Sequence, residues 1–247
     1  MILPPAGPGR LVRNDGAQLW TAPALAVFTE PGPARVDTHT HPAWKVVLCL
    51  EGHAEVHVDG RLRARSAGVV VPPQLSHTCS TSGPYVAVFV DSWRVAGRAA
   101  GVRELDTRAT TRILRHLPAG RSPDPAEVRA ALDPVLGPAP SLDPRLHHAL
   151  ELLPRADSVD GLAARAGVSP SHLRTLTREA IGIPLVRLRQ WVRVRSAISA
   201  LGHTGPAEAA HHAGLTDQSH LTRLSRTLLG RTPGSIRAAV SSPPSRH

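Results

Sequence analysis

The chain has few aromatic residues, a single lysine and no long apolar run. Aromatics make up only 3% of the 247 residues, so any core must be built mainly from aliphatic side chains. No stretch approaches the ~20 apolar residues that a membrane-spanning helix needs. The first residues, MILPPAGPGRLVR, lack a charged segment followed by a long apolar one, so no secretory leader is expected. There are two cysteines, Cys49 and Cys79. They have no framework spacing, which suits a reducing compartment, and the expected location is the cytoplasm. Acids are scarce as well: 19 stand against 29 basic residues, for a net charge of +10. Such a balance points to a polyanionic partner. Every basic residue except Lys45 is Arg, whose guanidinium forks onto phosphates and guanine edges. Residues 141–247 hold 14 Arg and 7 acids, so most of the excess lies there.

The two ends of the chain differ in rhythm. Six of the seven aromatics (Trp20, Phe28, Trp44, Tyr85, Phe89, Trp93) precede residue 94. Short strand-like runs such as KVVLCL, AEVHV, GVVV and YVAVFV are separated there by Gly, Pro and Asp-Gly turns. That pattern predicts a sandwich or barrel. From about residue 103 the spacing turns helical, and GPAPS at 137–141 marks a boundary. An α+β chain of two domains is expected. It comprises a β-barrel over 1–102, a helical linker or dimerisation segment over 103–140, an all-α domain over 141–238 and a disordered tail over 239–247.

The all-α part contains a repeat. SHLRTLTREAIG (171–182) and SHLTRLSRTLLG (219–230) share six of twelve positions at an offset of 48. Each follows a small-residue helix ending in Ala-Gly. Ala163, Ala166, Ala210 and Ala213 let two helices approach closely. Gly167 and Gly214 allow the left-handed conformation that ends the first helix. Val168 and Leu215 fill the corner. Ser169 and either Thr216 or Asp217 cap the second helix. Leu173, Leu176, Leu221 and Leu224 then face inward. Ser171, His172, Arg174, Thr175 and Arg178 are left outside in the first copy. Gln218, Ser219, His220, Thr222, Arg223 and Arg226 are left outside in the second. These positions carry donors and no acid, which suits a DNA major groove. Between the copies, PLVRLRQWVRVRSAISAL predicts one helix of about 27 Å. Arg189 and Arg193 lie off its apolar stripe and are expected at phosphates, with Arg187 and Arg195 nearby.

Residues 142–237 resemble the DNA-binding region of the AraC/XylS family of bacterial transcription regulators, on LAARAGVSPSHLRTLTREAIGIP and AEAAHHAGLTDQSHLTRLSRTLLGRTPGSIR. The resemblance implies that Ser171, Arg174 and Thr175 probe bases in one groove, and Ser219, His220 and Arg223 in the next. It also implies a double-stranded operator, a small-molecule effector, a homodimer, contact with RNA polymerase, and no enzymatic activity. The first domain resembles a cupin barrel, the usual sensor half of that family. HTHPAWK is similar to its His-x-His strand, and GVVVPPQLSH to its second motif. His39, His41, Lys45 and His77 are therefore the candidate effector-pocket residues. Three readings of the histidines stay open: a pocket for a small molecule, a metal site, and packing within the barrel. No cofactor is expected. The alternative function is a metal-dependent cupin enzyme with a helical appendage.

Overall fold

A computed structural model describes residues 10–13, 17–96, 101–117 and 122–241. Among the described residues, eleven strands come first: β1 (Arg10–Arg13), β2 (Gln18–Ala22), β3 (Leu25–Glu30), β4 (Ala34–His39), β5 (Ala43–Cys49), β6 (Ala54–Val58), β7 (Arg61–Ser66), β8 (Gly68–Val71), β9 (His77–Thr81), β10 (Tyr85–Asp91) and β11 (Arg103–Leu105). They form two antiparallel sheets, ordered β1-β2-β3-β10-β5-β8-β11 and β4-β9-β6-β7. All seven residues of β5 are buried because both faces of its sheet are covered. Side chains alternate along a strand. Val47 therefore packs with Val56, Val71 and Cys79 between the sheets. Trp44, Val46 and Leu48 point the other way. Cys49 and Cys79 are buried free thiols.

That outer layer is helical. Helices α1 (Thr107–Leu114) and α2 (Pro125–Leu136) are capped by Asp106 and Asp124. They bury Ile113, Val128 and Leu132 against Trp44, Val46 and Val88. The sheet runs past residue 102, where the barrel was expected to end, since β11 pairs with Gly68–Val70 of β8. The apolar faces of α1 and α2 pack on their own sheet.

The second domain comprises α3 (Pro144–Leu152), α4 (Val159–Arg165), α5 (Pro170–Ile181), α6 (Leu185–Ala200), α7 (Pro206–His212), α8 (Gln218–Leu229) and α9 (Pro233–Ser241). Its core includes Leu146, Leu173, Leu188, Val194, Leu221 and Leu228, all fully buried. The alanines Ala163, Ala209 and Ala210 are also fully buried, so helices meet there at close range. The expected tail is helical as far as Ser241, within α9; residues 242–247 lie outside the described residues. Among the described residues, no helix is long and apolar enough to cross a membrane.

The domains share one hydrophobic cluster. Leu19, Ala43 and Trp93 of the β domain pack with Trp191, Ile198 and Ile236 of the helical domain.

Candidate functional site

The repeat folds as two helix-turn-helix units, α4–α5 and α7–α8, joined by α6. Gly167 and Gly214 have φ of +68° and +67°, the left-handed turn expected at each corner. The Ser169 hydroxyl accepts the His172 N–H and caps α5. Asp217, rather than Thr216, caps α8 by accepting the His220 N–H at 2.7 Å. Leu173 and Leu221 face inward as expected. Leu176 does not face fully inward: it is half-buried, and Thr177 is buried instead. Its hydroxyl donates to the Leu173 carbonyl one helical turn back, at 2.7 Å. Ser225, at the same 48-residue offset, is likewise buried.

Ser171, His172, Arg174, Thr175 and Arg178 are exposed along α5. Gln218, Ser219, Arg223 and Arg226 are exposed along α8, with His220 and Thr222 partly so. Thr222 donates its hydroxyl to the Gln218 carbonyl, and His220 Nδ1 lies 3.3 Å from the Thr216 hydroxyl.

The arginines of α6 are placed differently from the expectation. Arg189 and Arg193 both donate to the carbonyl of Asp157 and are half-buried, so they tie α6 to the start of α4. Arg195 turns toward the β domain. Its guanidinium lies 2.7 Å from Asp91 Oδ1, and the Asp91 side chain is fully buried. The Trp191 indole N–H donates to the same oxygen at 2.7 Å. Arg187 reaches Gln190 at 3.5 Å. Arg189, Arg193 and Arg195 meet neighbouring elements on the flanks of α6, while each stays partly accessible to solvent.

Asp91 and its two donors form one bolt between the domains. Arg231 is a second: it forks onto Glu30 at 3.0 and 3.2 Å, and Tyr85 donates its hydroxyl to the same carboxylate. Burial, and then the Glu30 charge, push the Tyr85 phenol up. Further along the joint, the Thr40 N–H donates to the Thr227 carbonyl at 2.9 Å, and the Thr21 and Ser199 hydroxyls lie 2.9 Å apart. The spacing arguments missed Asp91, Glu30 and Arg231. The only local signal was an acid closing the apolar run YVAVFV.

An apolar cavity of about 90 Å³ lies in this joint. Its walls come from both domains and include Phe28, Val47 and Phe89 on one side, and Trp191, Ile198 and Leu229 on the other. Three cations border it: Lys45, Arg195 and Arg231. The two arginines are paired with acids, whereas Lys45 has no carboxylate partner among the described residues. Burial lowers the Lys45 pKa. Its ammonium lies 3.4 Å from His39 Nε2 and 6.0 Å from the centre of the Phe89 ring.

Of the four expected pocket residues, only Lys45 lines this cavity. His39, His41 and His77 form a separate buried cluster behind it, with ring centres 4.2 to 5.5 Å apart. Burial, and then Lys45, push the His77 imidazole down to about 3. Burial, Lys45 and the neighbouring histidines push His39 and His41 down too, so all three are neutral near pH 7.

Residues 162–239, which span both helix-turn-helix units, match a family described as a helix-turn-helix domain. The C-terminal region is an AraC-type helix-turn-helix domain. Such a domain makes this chain a DNA-binding transcription regulator. The two-domain architecture has solved counterparts in ToxT from Vibrio cholerae, at 10% identity. An apo ToxT variant superposes with a TM-score of 0.56, over 88% of this chain and 98% of that one. Wild-type ToxT bound to an unsaturated fatty acid gives 0.55, over 90% and 97%. ToxT bound to (E)-4-(8-methylnaphthalen-1-yl)but-3-enoic acid gives 0.54, over 88% and 98%. At this identity the likeness shows the two-domain α+β fold. Among curated proteins, no sequence match was found.

Proposed function

We propose that the chain binds a double-stranded operator through α5 and α8, and that an apolar carboxylate in the interdomain cavity changes that binding. The observation that carries the first half is the pair of exposed helix faces with Arg174 and Arg178 on one and Arg223 and Arg226 on the other. Arg forks suit guanine edges and phosphates, while Ser, Thr and Gln add shorter-range donors. The reading places the protein with the chromosome, in the cytoplasm, and as a regulator rather than an enzyme.

Cavity chemistry supports the second half. The walls are aliphatic and aromatic, and Lys45 is the bordering cation not already held by an acid. A carboxylate on an apolar body satisfies both features. Both ToxT ligands named above have that form. At about 90 Å³ the cavity is smaller than the ~150 Å³ void that accommodates benzene in an engineered protein core. A ligand larger than that must part walls belonging to different domains. Ligand binding and domain geometry are then linked, and a ligand shifts an equilibrium only by its differential affinity for the two arrangements.

The test uses the full chain and duplexes selected from genomic fragments. Binding should be sequence-specific, with affinity falling steeply as salt rises. Oleate, as the probe carboxylate, should change operator affinity, and Lys45→Ala should blunt that response. Equal affinity for every duplex sinks the regulator reading. An oleate response unchanged in Lys45→Ala sinks the assignment of Lys45.

A further inference from the structure

A second cavity, against the first helix-turn-helix unit, has no part in that function. We propose that it is a separate small-molecule site, which takes an uncharged planar molecule carrying an amide, of the lactam or aromatic carboxamide class.

The cavity measures about 280 Å³ and lies between the domains. The β domain supplies Trp44, the Pro72–Gln74 stretch between β8 and β9, and Ser92 and Trp93 just after β10. The helical domain supplies Ala180–Ile183 at the end of α5, and Pro140 comes from the segment that joins the domains. No lining residue is shared with the apolar cavity beside Lys45.

Rings dominate the walls, with two tryptophans and three prolines. Flat, rigid walls favour a flat guest that stacks on them. The volume is well above the ~150 Å³ void that holds benzene, so two fused rings have room. None of the lining side chains is charged. An ionic guest would lose its water with no counter-charge in return, which disfavours it. The Lys45 cavity, bordered by three cations, has the opposite preference.

Polar groups on both sides lack partners that an amide would supply. Ser92 is 6% exposed, and its hydroxyl has no hydrogen-bond partner among the described residues. A buried hydroxyl left bare is costly, and a guest carbonyl would complete it. On the helical side, the Gly182 N–H donates to the Arg178 carbonyl at 2.9 Å and closes α5. The ladder would continue to the Ala180 carbonyl from residue 184, but that residue is Pro and has no N–H. The Ala180 carbonyl therefore depends on a donor from outside the helix, and the negative end of the helix dipole favours one. A lactam offers its C=O to Ser92 and its N–H to the end of α5.

The wall between β8 and β9 is held in place beforehand. Gln74 has φ +65°, a sparsely populated conformation for a residue other than glycine. Its N–H donates to the His41 carbonyl at 2.8 Å, which ties that turn to the strand carrying Trp44.

Calorimetric titration of the full-length protein with isoquinolin-1-one tests the site without DNA or fatty acid, so its outcome is separate from that of the regulator reading. About one molecule should bind per chain. The N-methyl lactam, which has no N–H, should bind roughly two- to thirteenfold more weakly, the range for loss of one hydrogen bond. Ser92→Ala should weaken binding of the parent lactam over the same range. That variant removes a hydroxyl bonded to nothing, so it should fold and unfold like the wild type. Ala180→Phe, at an exposed helical position, should fill the cavity and abolish the heat of binding. No saturable heat with the wild type, or equal binding by Ala180→Phe, overturns the site. Equal binding by Ser92→Ala, or of the N-methyl lactam, overturns the assignment of an amide guest.

Discussion

The two helix-turn-helix units share a sequence pattern but not a setting. In the first, the end of α5 at Ala180–Ile183 faces Trp44, Pro72, Pro73 and Trp93 across a cavity of about 280 Å³. In the second, the end of α8 is bonded to the β domain at Thr40 and abuts Val36 and His39 through Gly230, with Arg231 gripping Glu30 just beyond. Both units expose similar donors along their second helices. Of the two, the second has its back directly against the interdomain cavity beside Lys45, through Leu229 and Arg231. A signal from the β domain should therefore reach the second reader more strongly than the first.

The largest test of this asymmetry is Asp91→Ala. It leaves Arg195 and the Trp191 indole without their acceptor inside the joint, and breaking a buried pair in this way costs about 3–5 kcal/mol. Denaturant unfolding should show that loss. An unchanged midpoint would mean that the joint adds nothing to stability.

Gly230→Ala comes next. The position has φ +66° and no room for a Cβ, so strain and overpacking together should cost roughly 2–4 kcal/mol. Gly167→Ala in the first unit is the control. It has φ +68° but nothing within 4 Å, so only backbone strain of about 1–2 kcal/mol is expected. Equal costs in thermal unfolding would erase the difference between the units.

Arg174→Ala and Arg223→Ala separate the readers on DNA. Each should weaken binding to a selected duplex by about 1–3 kcal/mol and relax specificity in its own half of the site. Footprints with and without oleate should change most in the half lost with Arg223→Ala. A ligand effect confined to the Arg174 half would reverse the comparison. The smallest effect is expected for Thr21→Val, which removes the hydrogen bond to Ser199 and should cost about 1 kcal/mol in the same unfolding assay.

Much of this was legible from residue order because it is local. A helix cap needs one side chain and an N–H three residues on, so Ser169 and the Ala-Gly corners could be placed from spacing. The exposed faces of α5 and α8 followed from 3.6-residue periodicity. The misplacements share a cause. Leu176 and Thr177 differ by one helical step, and only the curvature of neighbouring helices chooses between them. Arg189, Arg193 and Arg195 looked like phosphate contacts because a sequence shows which residues leave the apolar stripe, not what stands opposite. The β11 strand was missed because three residues carry too little alternation to see.

By itself, the order of residues determined the two domain types, the doubled reader, and the three histidines with one lysine near a shared strand. Tertiary structure alone decided that Lys45 borders a cavity which the histidines do not line, that Asp91 and Glu30 lock α6 and the start of α9 to the β sheets, and that one reader rests on the histidine cluster. The physical reason is range. Periodicity and capping act over a few residues, whereas a buried pair such as Asp91 and Arg195, 104 positions apart, exists only once folding has excluded water from both.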